Sequence, residues 1–188
     1  MYQKYHTDAL VLGSREHGES DKVFALFTKD FGLVRARASA VRKESSRMRY
    51  ALQHHACSHV ALVRGKRGWR LGGTSLTRPS STEGVVTFAR IARLVLRLVA
   101  GEERNDYLFA ALLDAHEALT KSPREILATI EIVCVARVLF ALGYLSPEAL
   151  ETTLFTHTAY AEHHLAEAFT ARDKLLASIN RAISETHL

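Results

Sequence analysis

At 188 residues, with 47% hydrophobic, 8% aromatic and 24% charged residues, the chain has the make-up of one ordinary globular domain or two small ones, which excludes disorder. Its formal net charge of +5 is unevenly placed: residues 1–79 carry 15 Lys and Arg against 6 Asp and Glu, a net +9, while residues 80–188 carry 10 against 14, a net −4. Such asymmetry points to an anionic partner for the first part, and the longest apolar runs, broken by Arg93, Arg97, Glu131 and Arg137, are too short and too charged to span a bilayer.

In chain order, 9–12 is a short apolar run ending at Gly13, followed by a polar loop, 14–21. The next apolar run, 23–27, fits a helix face as well as a buried strand. After the Phe31-Gly32 turn, Val34, Ala36 and Ala38 alternate with Arg35, Arg37 and Ser39, which predicts a strand with its arginines toward solvent. Residues 56–63 and 69–71 read as two more strands joined through Gly65 and Gly68. Five short strands in about 75 residues predict a small closed barrel.

Beyond residue 79 the period becomes helical. Val85, Phe88, Ala92, Val95 and Val99 define a first helix stopped by Gly101, and 107–119 a second. Ser122-Pro123-Arg124-Glu125 predicts a helix start with Ser122 as N-cap in a capping box, running to Leu142 with Gly143 at C′. Ser146-Pro147-Glu148 predicts another short helix, and 159–185 a helical segment with a break near Thr170.

The residues with binding chemistry lie in the first part. Arg35, Arg37, Arg42, Lys43, Arg47 and Arg49 put six cations within fifteen positions, and Arg64, Lys66, Arg67 and Arg70 bracket Gly65 and Gly68. Guanidinium forks suit phosphate because two charge-assisted bonds reach one anion. Trp69 is either a stacking surface for an unpaired base or core packing at the start of a strand. His55, Cys57 and His59 would share one strand face, but no metal-site spacing supports them, and metal is not expected. His163 and Glu167 are placed to pair on one helix face. Cys57 and Cys134 lie far apart, which fits a reducing compartment with no disulfide framework. No signal-peptide core, nucleophile elbow, P-loop or dinucleotide fingerprint appears, so the expectation is an intracellular, non-enzymatic protein.

Several stretches together resemble the RecO family of bacterial DNA recombination and repair mediators. They are Thr7-Asp8-Ala9-Leu10-Val11-Leu12, His17-Gly18-Glu19-Ser20-Asp21, Leu26-Phe27-Thr28, Phe31-Gly32, Arg42-Lys43, Ser46-Arg47-Met48-Arg49-Tyr50-Ala51-Leu52 and Val63-Arg64-Gly65-Lys66-Arg67-Gly68-Trp69, with a looser match to Arg137 and Leu142-Gly143-Tyr144-Leu145. The resemblance implies an α+β chain: a five-stranded OB-fold barrel over 1–79 that binds DNA, then an α-helical, partner-binding domain over 80–188. It makes 23–27 a strand. It further implies binding of single- and double-stranded DNA, strand annealing, and recombinase loading on gapped DNA. The implied partners are RecR, in many bacteria RecF, and the acidic tail of the single-stranded DNA-binding protein, with Arg137 toward that tail. No cofactor is implied, and a cytoplasmic, nucleoid-associated location is. The chain departs from the family in lacking the four-cysteine zinc module after Leu142-Gly143-Tyr144, in having Ser39-Ala40 where Lys-Gly is usual, and in having Leu33 where Lys is common. From the residues alone, an RNA-binding or translation-associated OB-fold, a metal-dependent hydrolase and an adaptor for an acidic protein remain rival readings.

Overall fold

A computed structural model of the chain describes residues 3–80, 83–146 and 152–186. It divides into two compact units, one of Met1–Ser80 with Ala100–Asp106, the other of Ser81–Val99 with Tyr107–Leu188. The fold class is α+β, as expected.

The first unit is a closed barrel of β1 (Lys4–His17), β2 (Asp21–Thr28), β3 (Gly32–Ala38), β4 (Cys57–Gly65) and β5 (Gly68–Arg78), in the order β1-β2-β3-β5-β4. A four-residue helix, α1 (Met48–Ala51), lies between β3 and β4. Pairing is antiparallel except between β3 and β5, which run parallel. Inward residues Val11, Phe24, Leu26, Val34, Ala36, Ala38, Val60, Leu62 and Leu71 fill the barrel. The alanines of β3 sit in this core because a narrow barrel needs small residues among large ones. Leu10, Phe27 and Leu33 pair in one row on the opposite face and are buried too. Strand β2 is therefore apolar on both sides, which is why 23–27 shows no period of two.

The polar stretch 14–21 differs from the expected loop. Residues 14–17 continue β1 and pair with 21–24 of β2, leaving only 18–20 as the turn of a projecting hairpin arm. An arm wetted on much of its surface carries no apolar alternation to betray it. At the other end of β2, Gly32 has φ +62°, and a Cβ there would lie 2.0 Å from the Glu103 carbonyl oxygen. The residue is glycine both for its backbone and for this close approach.

The second unit contains α2 (Val85–Leu98), α3 (Asp106–Lys121), α4 (Arg124–Ala141), α5 (Glu162–Thr170) and α6 (Arg172–Glu185). Helix α4 is buried over most of its circumference and packs against α2, α5 and α6, the pattern of a central helix. Arg90 of α2 grips Glu131 of α4 through both carboxylate oxygens, at 2.6 and 2.5 Å. Ser122 does not cap α4. Its amide still donates to the Ala118 carbonyl, so Ser122 completes α3, and Pro123 is the N-cap. The other end of α4 closes as expected: Gly143 has φ +77°, its amide donates to Phe140 O and that of Tyr144 to Leu139 O. Those two bonds are the Schellman pattern. The break expected near Thr170 falls at Ala171. Pro147 and Glu148, where a further helix is expected, lie outside the described residues.

Candidate nucleic-acid interface

Strand register decides which cations stand together. Arg15 pairs with Val23, Val23 with Arg37, Arg37 with Arg70, and Arg70 with Val63. Residues paired directly across neighbouring strands share a face, so this row crosses all five strands on the outside of the barrel. Continuing, Val63 pairs with Lys4, and the circuit returns to β1 eleven positions from Arg15. That climb is the stagger a closed barrel requires. Arg35, paired with Ala25, is two residues along β3 and therefore on the same face.

The row lines an open groove of about 760 Å³ walled by Arg15, His17, Arg35, Arg37, Arg70 and the β4–β5 hairpin with Lys66 and Arg67. Arg35 and Arg37 are exposed while their neighbours Val34, Ala36 and Ala38 are buried, as the alternation in β3 predicts. Arg37 is held by Asp21, whose Oδ2 accepts from Nη2 at 2.6 Å and Nε at 2.7 Å. The Ala40 amide donates to Oδ1 at 2.7 Å. This amide, together with the hydrogen bond and charge of Arg37, holds the Asp21 carboxyl below the usual aspartate range.

Arg64 is committed elsewhere. Its guanidinium bonds to Glu102 and lies 4.7 Å from the centroid of the Trp69 ring. Burial would raise the Glu102 pKa, but the Trp69 indole and Arg64 outweigh it and hold the carboxyl low. Trp69 itself is 6% exposed and packs edge-on against Tyr5 at 5.6 Å and tilted against Phe31 at 5.3 Å. Core packing is thus the role it takes, and it presents no open face to a base. A tryptophan that covers one end of a barrel satisfies its large apolar surface there.

The remaining predicted cations, Arg42, Lys43, Arg47 and Arg49, are not brought to the groove. They sit on the β3–β4 connection, where Arg42 pairs with Glu16 at 3.2 Å and Arg49 donates to Tyr50 Oη at 2.9 Å. Arg15 and His17 are the groove residues that sequence reasoning missed, because the polar stretch around them reads as loop. Their spacing of two, like that of Arg35 and Arg37, is the pattern that marks them as sharing a strand face.

Arg137 is not placed to meet a partner. It is fully buried, and donates through Nε to Leu154 O at 2.9 Å, through Nη1 to Thr158 O at 2.6 Å and through Nη2 to Ala159 O at 3.1 Å. Its guanidinium carbon also lies 4.7 Å from the Tyr160 ring centroid. The irregular segment 152–161 exposes carbonyls that no helix satisfies, and a five-donor fork answers three of them at once. Glu167 is likewise used internally: it accepts from Thr152 Oγ1, Thr153 N and Thr153 Oγ1 at 2.5–2.9 Å. The His163–Glu167 pair is therefore replaced, and the His163 ring lies 3.9 Å from that of His164.

Of the three residues expected to share a face, Cys57 and His59 do so, paired with Leu10 and Asp8 of β1, whereas His55 does not join them. His55 precedes β4 with φ +65°, Cys57 is buried, and His59 is exposed and bonded to Asp8 at 3.0 Å. The register shift beside Cys57 and Ser58 skips Thr77 of β5 and leaves the alternation of β4 intact. Burial pushes the Cys57 thiol up to about 12, against the thiolate form a metal needs. Among the described residues no group of three His, Cys, Asp or Glu is placed to hold a metal ion, and no helix is long and apolar enough to cross a membrane.

Residues 1–73 match the family described as Recombination protein O N terminal. Among curated proteins, the chain is 34% identical over 137 residues to "DNA repair protein RecO" of Pelotomaculum thermopropionicum, covering 66% of this chain and 50% of that protein. It is 32% identical over 153 residues to the protein of the same name from Heliobacterium modesticaldum, covering 74% and 52%. To that of Myxococcus xanthus it is 33% identical over 128 residues, covering 62% and 52%. The chain spans about half the length of these curated relatives.

Proposed function

The chain belongs to the RecO family, and from that premise we propose that it is a non-catalytic DNA-binding protein of recombinational repair whose DNA seat is the arginine row of the barrel. The observation that carries this reading is the row itself, in which Arg15, Arg37 and Arg70 stand at one level on three strands with Arg35 one step along. Cations so spaced meet successive phosphates of a strand and release its counterions, with no requirement for sequence. The outer face of strands 2 and 3 with the adjoining hairpin is also where OB-folds take oligonucleotides. On this reading the barrel screens the repulsion between two strands and so favours annealing. The helical unit supplies contacts to protein partners: RecR, RecF where present, and the tail of the single-stranded DNA-binding protein. Together they load recombinase on gapped DNA in the cytoplasm.

Fluorescence anisotropy with labelled single-stranded DNA across a salt series tests the proposal. Wild type should give a linear log–log dependence, and an Arg35→Ala/Arg70→Ala variant a slope shallower by about 0.7 for each phosphate it no longer neutralises. No binding by the wild type at low salt overturns the function, and an unchanged slope in the variant overturns the site. Preferential displacement by RNA of equal length would favour an RNA-binding module instead.

A further inference from the structure

The groove has cations but no open Trp, Tyr or Phe face, because Trp69, though among its lining residues, is 6% exposed and packed against Tyr5 and Phe31. The β3–β4 connection has both. Tyr50 is 58% exposed, and the Arg49 guanidinium carbon lies 4.9 Å from its ring centroid. Arg42, Lys43 and Arg47 are exposed on the same connection.

This second basic surface faces away from the groove. Along the hairpin arm, Arg15, His17 and Val23 line the groove, whereas Glu16, Lys22 and Phe24 line a separate hollow with Val41, Arg42, Arg49 and Leu52. Successive residues of a strand point to opposite sides, so the arm has one cationic surface on each. Their chemistry differs. A groove of guanidinium groups takes phosphates whether or not the bases are paired. An exposed ring beside cations takes an unpaired base, since the bases of a duplex are already stacked on one another.

We propose that Tyr50, backed by Arg49, is the stacking platform for one unpaired nucleobase, on the side of the β1–β2 arm opposite the arginine groove. The inference rests on the reading that the barrel binds nucleic acid, and adds a seat that distinguishes single strands from duplex. Arg49 fixes the ring from one side through the bond to Oη and the stacked guanidinium, and the phosphates flanking the seated base meet Arg42, Lys43 and Arg47.

The test uses the full chain with a labelled oligothymidylate and a labelled duplex of the same length, and the variants Tyr50→Ala, Tyr50→Leu and Tyr50→Trp, each checked for an unchanged melting profile. Removing the stack should weaken single-strand binding by at least about fivefold for Ala and Leu, with duplex binding within about twofold of wild type. Trp should restore single-strand binding. An equal weakening on both probes, or unchanged single-strand affinity of Tyr50→Ala, overturns this inference while leaving the barrel's general DNA binding in place. Wild type that binds neither probe overturns the parent reading as well.

Discussion

One carboxylate, that of Asp21, holds Arg37 at 2.6 Å while its second oxygen receives the Ala40 amide, so the tip of the hairpin arm, the middle of the cationic row and the exit from β3 are fixed by a single side chain. Arg37 is thereby oriented before any anion arrives, with about half of its side chain still exposed.

The Asp21 pKa is lowered, first by the Ala40 amide and then by Arg37. A depressed carboxyl contributes stability that is present above its unfolded value and lost as pH falls through the folded one. Wild type should therefore melt higher than Asp21→Asn at pH 7, and the gap should narrow as pH is taken below 3.8, the ordinary aspartate value. Circular-dichroism melts at several pH values measure this. A gap that persists undiminished at low pH would mean the ionised carboxylate is not what matters.

Ala40 adopts φ +54°, in the left-handed region. For a residue with a Cβ this costs roughly 1–2 kcal/mol. Ala40→Gly relieves that strain but loosens the unfolded chain by about 0.4–1 kcal/mol. The variant should be more stable by about 0.5–1 kcal/mol in urea unfolding, and equal or lower stability would refute the strain.

Arg137→Met keeps bulk and removes the fork. Three carbonyls then lose their donors inside the helical unit, at a cost of about 1–3 kcal/mol for each that stays dry. Urea unfolding followed by far-ultraviolet dichroism should show a decrease of about 3 kcal/mol or more. An Arg137 that served only a partner would leave the unfolding midpoint where it is.

His164 is 6% exposed, and its pKa is lowered by burial and then by His163. The fold thus favours the neutral ring. Between 6.5 and the lowered value the unfolded chain binds the additional proton, so this contribution is complete above 6.5 and declines as pH falls below it. His164→Asn should be less stable than wild type at pH 7.5 and lose less on moving to pH 5.5. A parallel decline in both proteins would place the proton elsewhere.

Inward and outward positions on β3 were legible because small apolar residues alternate there with arginines. So was the end of α4, where Gly143 marks a left-handed cap. The row through Arg15, Arg37 and Arg70 was not, since register between β3 and β5 depends on barrel closure, which no local pattern encodes. Ser122 misled because capping chemistry and a helix's last turn use the same residue types, and only the amide of Ser122 distinguishes them. Arg137 misled for another reason. A buried arginine reads in sequence like any cation, and what identifies it here is a run of unpaired carbonyls seventeen and more positions away.

Among the described residues, the parallel pairing that closes the barrel consists of Ala36 with Trp69 and Arg37 with Arg70. Such a short seam joins strands distant in sequence, and it is where the cylinder opens most cheaply. Arg37 and Arg70 stand on either side of it, repelling each other across the join. An anion that spans both turns that repulsion into attraction and acts as a clasp on the cylinder. On the proposed DNA seat, holding a polyanion and staying shut become one equilibrium, and amide protection along β3 and β5 would rise in step with occupancy.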